Sequence, residues 1–143
     1  MKAPFELDAR LAADSVPVAD LALSTVRLMK DANYPWLLVV PKKAGAVELI
    51  DLDCDERAVL VEEIATVSEV LKAVTGCDKL NVAALGNVVA QLHVHVIARF
   101  ATDAAWPGPV WNKVPALAYA EGALEALAAR LADTLPGTAA VAR

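Results

Sequence analysis

The sequence predicts an α+β domain, and three observations carry that prediction. Short runs of alternating apolar and polar residues fill the first third of the chain. One long stretch in the middle repeats its apolar residues at helical spacing. Two further strand-like runs, separated by a short loop, are expected to pair antiparallel. At 143 residues and 15.0 kDa the chain suits one domain.

Residues 8–13 suit a short helix ahead of Pro17. Residues 18–23 and 24–29 alternate apolar and polar side chains and read as a meander of two strands. Asp31-Ala-Asn33 is a turn signal. Residues 36–40, Trp-Leu-Leu-Val-Val, lie between Pro35 and Pro41 and read as a buried strand. Lys42 to Gly45 is a basic turn. Asp53 or Asp55 caps the long helix, where acids favour the positive end of the helix dipole. Leu60, Ile64, Val67, Val70, Leu71 and Val74 form its apolar stripe, and Gly76 is expected to end it. Residues 80–85 and 92–100 are strands around the turn Gly86-Asn87. Trp106-Pro107-Gly108-Pro109 is an irregular aromatic turn. Residues 119–135 form an Ala/Leu helix, and 136–143 read as a flexible tail.

Composition narrows the function. Hydrophobic residues make up 57% and charged residues 22%, which excludes a disordered chain. The run 36–40 falls far short of the ~18 apolar residues of a membrane span. The net charge is −5 and the pI about 4.9, so phosphate-backbone binding to nucleic acid is disfavoured. No secretory signal is visible at the start, and a cytoplasmic protein is expected. Two cysteines, Cys54 and Cys77, make no disulfide framework and read as free thiols.

Both histidines of the chain lie in Gln91-Leu92-His93-Val94-His95-Val96-Ile97. Strand alternation points Gln91, His93 and His95 to one face, about 7 Å apart at each step, and Leu92, Val94 and Val96 to the other. Three readings fit this row. It is a solvated sheet face with two incidental histidines. It is a metal site, for which Asp, Glu or Cys has to supply the third ligand. Or it serves phosphate chemistry, since neutral imidazole attacks phosphorus and a neighbouring imidazole holds a phosphate oxygen or moves a proton. Gly86-Asn87 just upstream would let backbone N–H groups approach a phosphate.

The row Gln91-Leu-His93-Val-His95-Val-Ile97 resembles the His-φ-His-φ-His-φ-φ motif of the histidine triad superfamily, with glutamine in the first place. Further residues carry the resemblance. The strand ending in Pro41-Lys42-Lys43, the helix from Asp53 to Val74, the strand and turn from Leu80 to Asn87, and Trp106-Pro107-Gly108 all stand in the family's order. Together they span residues 5–111, leaving 112–135 as a C-terminal helical extension. The resemblance implies a mostly antiparallel sheet with a long helix packed on it, and a homodimer. It implies hydrolysis or transfer of a nucleoside monophosphate at its α-phosphate, without a cofactor or a metal. Diadenosine polyphosphates and nucleoside phosphoramidates are its substrate classes. His93 matches the nucleophile, His95 the histidine at the phosphate and leaving group, and Gln91 the supporting first position. Asn87, with Gly86, falls near the phosphate-contacting loop. Arg99 shares the parity of His93 and is a candidate for a polyphosphate contact.

Two departures stand out. Gln91 carries no titratable proton, although its amide still hydrogen-bonds. Trp36 stands about where the family often has a further histidine. With the histidines reduced, the rival reading is a nucleotide-binding module with little catalysis. The three tryptophans, Trp36, Trp106 and Trp111, are expected in the core or at a dimer interface, and Lys42-Lys43 in a solvated turn.

Overall fold

The computed structural model describes residues 3–136. A short helix α1 (Ala9–Asp14) runs directly into β1 (Ser15–Asp20), followed by β2 (Ser24–Met29), β3 (Trp36–Pro41), the long helix α2 (Cys54–Thr75), β4 (Lys79–Ala84), β5 (Val94–Arg99) and α3 (Ala123–Thr134). A single 3₁₀ turn, Leu49–Asp51, precedes α2. The strands form one antiparallel sheet in the order β1-β2-β3-β5-β4. The α+β architecture is the one the sequence predicts.

Helix α2 starts and stops where its end residues dictate. The Asp53 carboxylate accepts the Glu56 N–H at 2.8 Å, and the Glu56 carboxylate accepts the Asp53 N–H at 2.8 Å. This reciprocal box satisfies two backbone donors that a helix start leaves unpaired. Lys43 pairs with Glu56 and so ties the turn after β3 to this box. At the other end Gly76 takes φ 68° and donates its N–H to Lys72 O at 2.8 Å. Such a left-handed cap costs glycine nothing sterically.

Both sheet faces are covered, and parity assigns the residues. Leu37, Val39, Val94, Val96 and Ala98 face α2 and α3, whose Leu60, Val67, Leu71, Ala128 and Leu131 complete the main core. Each fully buried Val or Leu contributes about 1.5–3 kcal/mol. Trp36, Leu38, Val40 and Ile97 face the other way, onto Leu11, Tyr34, Val89, Ala105 and Val110. Every residue of β3 and β5 is therefore buried.

Three elements start two or more residues away from the sequence expectation. The first strand begins at Ser15 and spans Pro17, where residues 18–23 were expected. Strand β1 is an edge strand, its register slips between Pro17 and Ala19, and an edge tolerates a proline that donates no ladder bond. Strand β5 starts at Val94, because residues 91–93 bend to meet other segments, described below. Helix α3 starts at Ala123, after Gly122 at φ 79°. Most of the expected 136–143 tail lies outside the described residues. Cys54 is exposed and Cys77 buried, both free. No helix among the described residues is long and apolar enough to cross a membrane.

Candidate active site

The β4–β5 loop delivers the histidine motif to one end of the sheet. Gly86 takes φ 125°, a conformation open essentially to glycine, and an added Cβ would sit 3.3 Å from Val89 O. The loop is then held at three points. Arg10 donates to Val88 O at 2.9 Å, and Leu92 N–H donates to Ala46 O at 2.9 Å. Gln91 makes the third: its Oε1 accepts Asp8 N–H at 2.9 Å and its Nε2 donates to Glu6 O at 2.8 Å. The side-chain amide thus acts as a two-sided bracket for the N-terminal segment. Both polar atoms of the amide are engaged by this segment, and Gln91 is not among the residues lining the histidine cavity.

His93 and His95 do lie together, with ring centroids 4.9 Å apart and planes at 70°. The face they share is not open. His93 is 5% and His95 6% exposed, because α1, the β4–β5 loop and the segment around Trp111 close over them. They border a cavity of about 370 Å³ whose walls include Gly86, Asn87, Trp36, Trp111, Asp14 and Asn112. That size is within the ~300–1,000 Å³ of small-ligand sites. A neighbouring hollow of about 350 Å³ shares Asp14, Trp36, Trp111 and Asn112 and adds Lys30 and Asp31.

Hydrogen bonds assign the protons of both rings. His93 Nδ1 lies 2.6 Å from the Gln91 backbone carbonyl. A carbonyl only accepts, so Nδ1 carries the hydrogen and Nε2 keeps its lone pair in the neutral ring. The Trp36 indole donates to His95 Nδ1 at 2.9 Å. An indole N–H only donates, so the neutral His95 ring carries its hydrogen on Nε2. Two rings of one residue type are thereby set in opposite tautomers: a bare Nε2 on His93 and an Nε2–H on His95. His95 is further boxed by Trp36 at 5.6 Å and Trp111 at 5.1 Å between centroids. This burial, with the nearby His93, lowers its pKa from 6.5 to about 4, so it is neutral at pH 7.

Arg99 is not part of this site. It is 1% exposed, and its guanidinium bonds both Asp103 oxygens at 2.8 and 3.0 Å, Asn81 Oδ1 at 2.7 Å and Gly108 O at 2.8 Å. The Tyr34 and Trp106 rings lie 5.6 and 5.7 Å from its central carbon. Asp103 also accepts the N–H groups of Phe100, Ala105 and Trp106. Arg99, acting mainly through its side-chain hydrogen bonds, holds the Asp103 carboxyl down at about 2. Parity placed Arg99 on the correct face, but four residues beyond His95 that face is the seat of a structural ion pair.

Trp36 is a core residue, as expected, and Trp111 packs against that core, but both also wall the cavity, which the sequence did not indicate. Asp14 and Asn112 were not singled out at all. A non-glycine residue at φ 60°, Asn112 is the one with a local signal, since asparagine tolerates the left-handed region. Lys43 is engaged with Glu56, and Lys42 donates to Leu21 O. Among the described residues no group of three or more His, Cys, Asp or Glu is arranged to hold a metal ion.

The fold and site define a class: an α+β domain whose antiparallel sheet, backed by a long helix, presents two tautomer-fixed imidazoles at a cavity of small-ligand size. The model of the HIT domain matches residues 10–102. A histidine triad protein from Bradyrhizobium japonicum is 50% identical, with a TM-score of 0.90 over 93% of this chain and 99% of that one. One from Sinorhizobium meliloti is 44% identical (TM-score 0.88, 92% and 97% covered). One from Marinobacter aquaeolei is 41% identical (TM-score 0.90, 96% and 100% covered). No curated protein matches the chain. The chain belongs to the histidine triad family, whose members are in general nucleotide-binding hydrolases and transferases, some of them without catalysis.

Proposed function

We propose that this protein hydrolyses or transfers a nucleoside monophosphate, with His93 Nε2 attacking the nucleotide α-phosphorus. One observation carries the reading: a nearly buried imidazole whose Nδ1–H is tied to a backbone carbonyl, leaving a bare Nε2 at a cavity wall. Attack forms a P–N bond, and the P–O or P–N bond to the leaving group breaks with its electron pair on that group. The Gln91 carbonyl then faces the positive charge that the substituted ring gains. Water cleaves the P–N bond, releasing the monophosphate and a proton and returning neutral His93. His95 Nε2–H donates to a phosphate oxygen, and Gly86 and Asn87 offer the loop contact. The two adjoining hollows accommodate the nucleoside and the leaving group. Diadenosine polyphosphates and nucleoside phosphoramidates are the substrate classes to test. Residues 5–111 form the domain that carries this chemistry, and 112–135 an extension packed on it.

A homodimer is part of the proposal. Strand β4 is an edge of the sheet, with a neighbouring strand on one side only, and such edges invite pairing. Val82 on it, and Val61, Ile50 and Val88 elsewhere on the surface, are large apolar residues left exposed. Trp36, by contrast, is buried beside His95 and unavailable to a partner.

The test is intact mass after a rapid quench with a panel of dinucleoside polyphosphates and nucleoside phosphoramidates. A nucleotidyl adduct on wild type that His93→Ala lacks is expected. An adduct retained by His93→Ala would place the nucleophile elsewhere. Saturable nucleotide binding with neither adduct nor turnover would favour a binding module instead.

A further inference from the structure

The Trp36–His95 contact has a chemical consequence for the leaving group. The two residues come from neighbouring strands: Leu38 pairs with His95 and Trp36 with Ile97, so the indole reaches His95 along the diagonal on the same face. The indole N–H meets Nδ1 at 2.9 Å in a buried setting. A doubly protonated His95 would aim its Nδ1–H at the indole N–H, donor against donor. The other titratable groups bordering the same cavity are His93, from the same chain segment, and Asp14, from α1.

We infer that Trp36 is a positioning residue that holds His95 as a fixed, neutral Nε2–H donor, so that His95 steadies a phosphate oxygen but delivers no proton to the leaving group. The inference rests on the nucleotidyl reading only for its effect on substrate choice. A phosphate leaving group departs from phosphorus as a stable anion. The P–O bond breaks, its electron pair stays on the phosphate oxygen, and no proton is required. An amine leaving group needs a proton as the P–N bond breaks. His95 could supply one only by becoming an imidazolate, or by first becoming the cation that Trp36 opposes. Phosphoanhydrides are therefore the substrates this site favours over phosphoramidates of basic amines.

The test replaces Trp36 with its benzothiophene isostere, 3-benzothienylalanine, which keeps the shape and lacks the N–H. Trp36→Phe serves as a second variant. Long-range ¹H–¹⁵N correlation spectra of ¹⁵N-labelled protein read the His95 tautomer directly, independently of activity. The wild type is expected to show one tautomer, Nε2–H, from pH 5.5 to 8. Either variant is expected to show both tautomers, and Trp36→Phe, whose smaller ring also reduces the burial of His95, is expected to begin protonating it within that range. Relative turnover of a nucleoside phosphoramidate over a dinucleoside polyphosphate is expected to rise at least tenfold in Trp36→Phe, as suits regained general-acid catalysis. An Nδ1–H tautomer in the wild type, or an unchanged tautomer in both folded variants, would overturn the positioning role. An unchanged substrate ratio in Trp36→Phe, with His95 protonating, would overturn the leaving-group consequence. If the wild type turns over neither substrate and forms no adduct, the nucleotidyl reading fails, while the spectra still decide what Trp36 does.

Discussion

Acidification is expected to destabilise this protein through His95 before most carboxylates titrate. The buried ring stays neutral down to about pH 4, whereas the same residue in the unfolded chain binds a proton below its ordinary 6.5. Stability from this group is therefore fully present above pH 6.5 and is lost as pH falls toward 4. With these two values, the linkage gives a loss of about 2–3 kcal/mol between pH 7.5 and 4.5, most of it below pH 6. That is a large share of the 5–15 kcal/mol that holds a typical domain. Urea unfolding at half-unit pH steps measures it, and the control is His95→Asn. Asparagine Oδ1 can still accept the Trp36 N–H but does not titrate. The difference between the two stability curves isolates His95 from the background of Asp and Glu residues. Curves that run parallel from pH 7.5 to 4.5 would refute the assignment of a desolvated neutral His95.

Three further outcomes follow from the contacts. Gln91→Ala removes both hydrogen bonds to the N-terminal segment. A loss of about 1–2 kcal/mol is expected, with faster hydrogen exchange at Asp8 N–H; unchanged protection there would deny the bracket. Asp103→Asn leaves the buried Arg99 charge uncompensated and is expected to cost about 3–5 kcal/mol, read as a lower urea midpoint. His93→Ala should lower adduct formation by several orders of magnitude while the circular dichroism spectrum and unfolding midpoint stay close to wild type, since its ring borders a cavity. A collapsed fold in that variant would make His93 a packing residue.

Local chemistry decided much of this molecule. Asp53 and Gly76 bound α2 because capping depends on neighbours three or four residues away, which a linear reading contains. The faces of β3 and β5 follow from period-2 alternation, and the pair His93 and His95 followed with them. The histidine triad resemblance rested on the same short-range order. What the sequence could not decide is which distant segments cover a face. That Trp36 meets His95 depends on β3 lying beside β5, a pairing across more than fifty residues that alternation alone does not specify. That Gln91 turns to Glu6 and Asp8 depends on the N-terminal segment crossing the loop, and its amide takes whichever unpaired backbone groups arrive. Arg99 shows the same limit from the other side. Its parity with His93 was legible, but its partners Asp103, Asn81 and Gly108 converge only in the folded chain. A buried guanidinium is stabilised by where its counter-charge ends up, and only tertiary structure determines that.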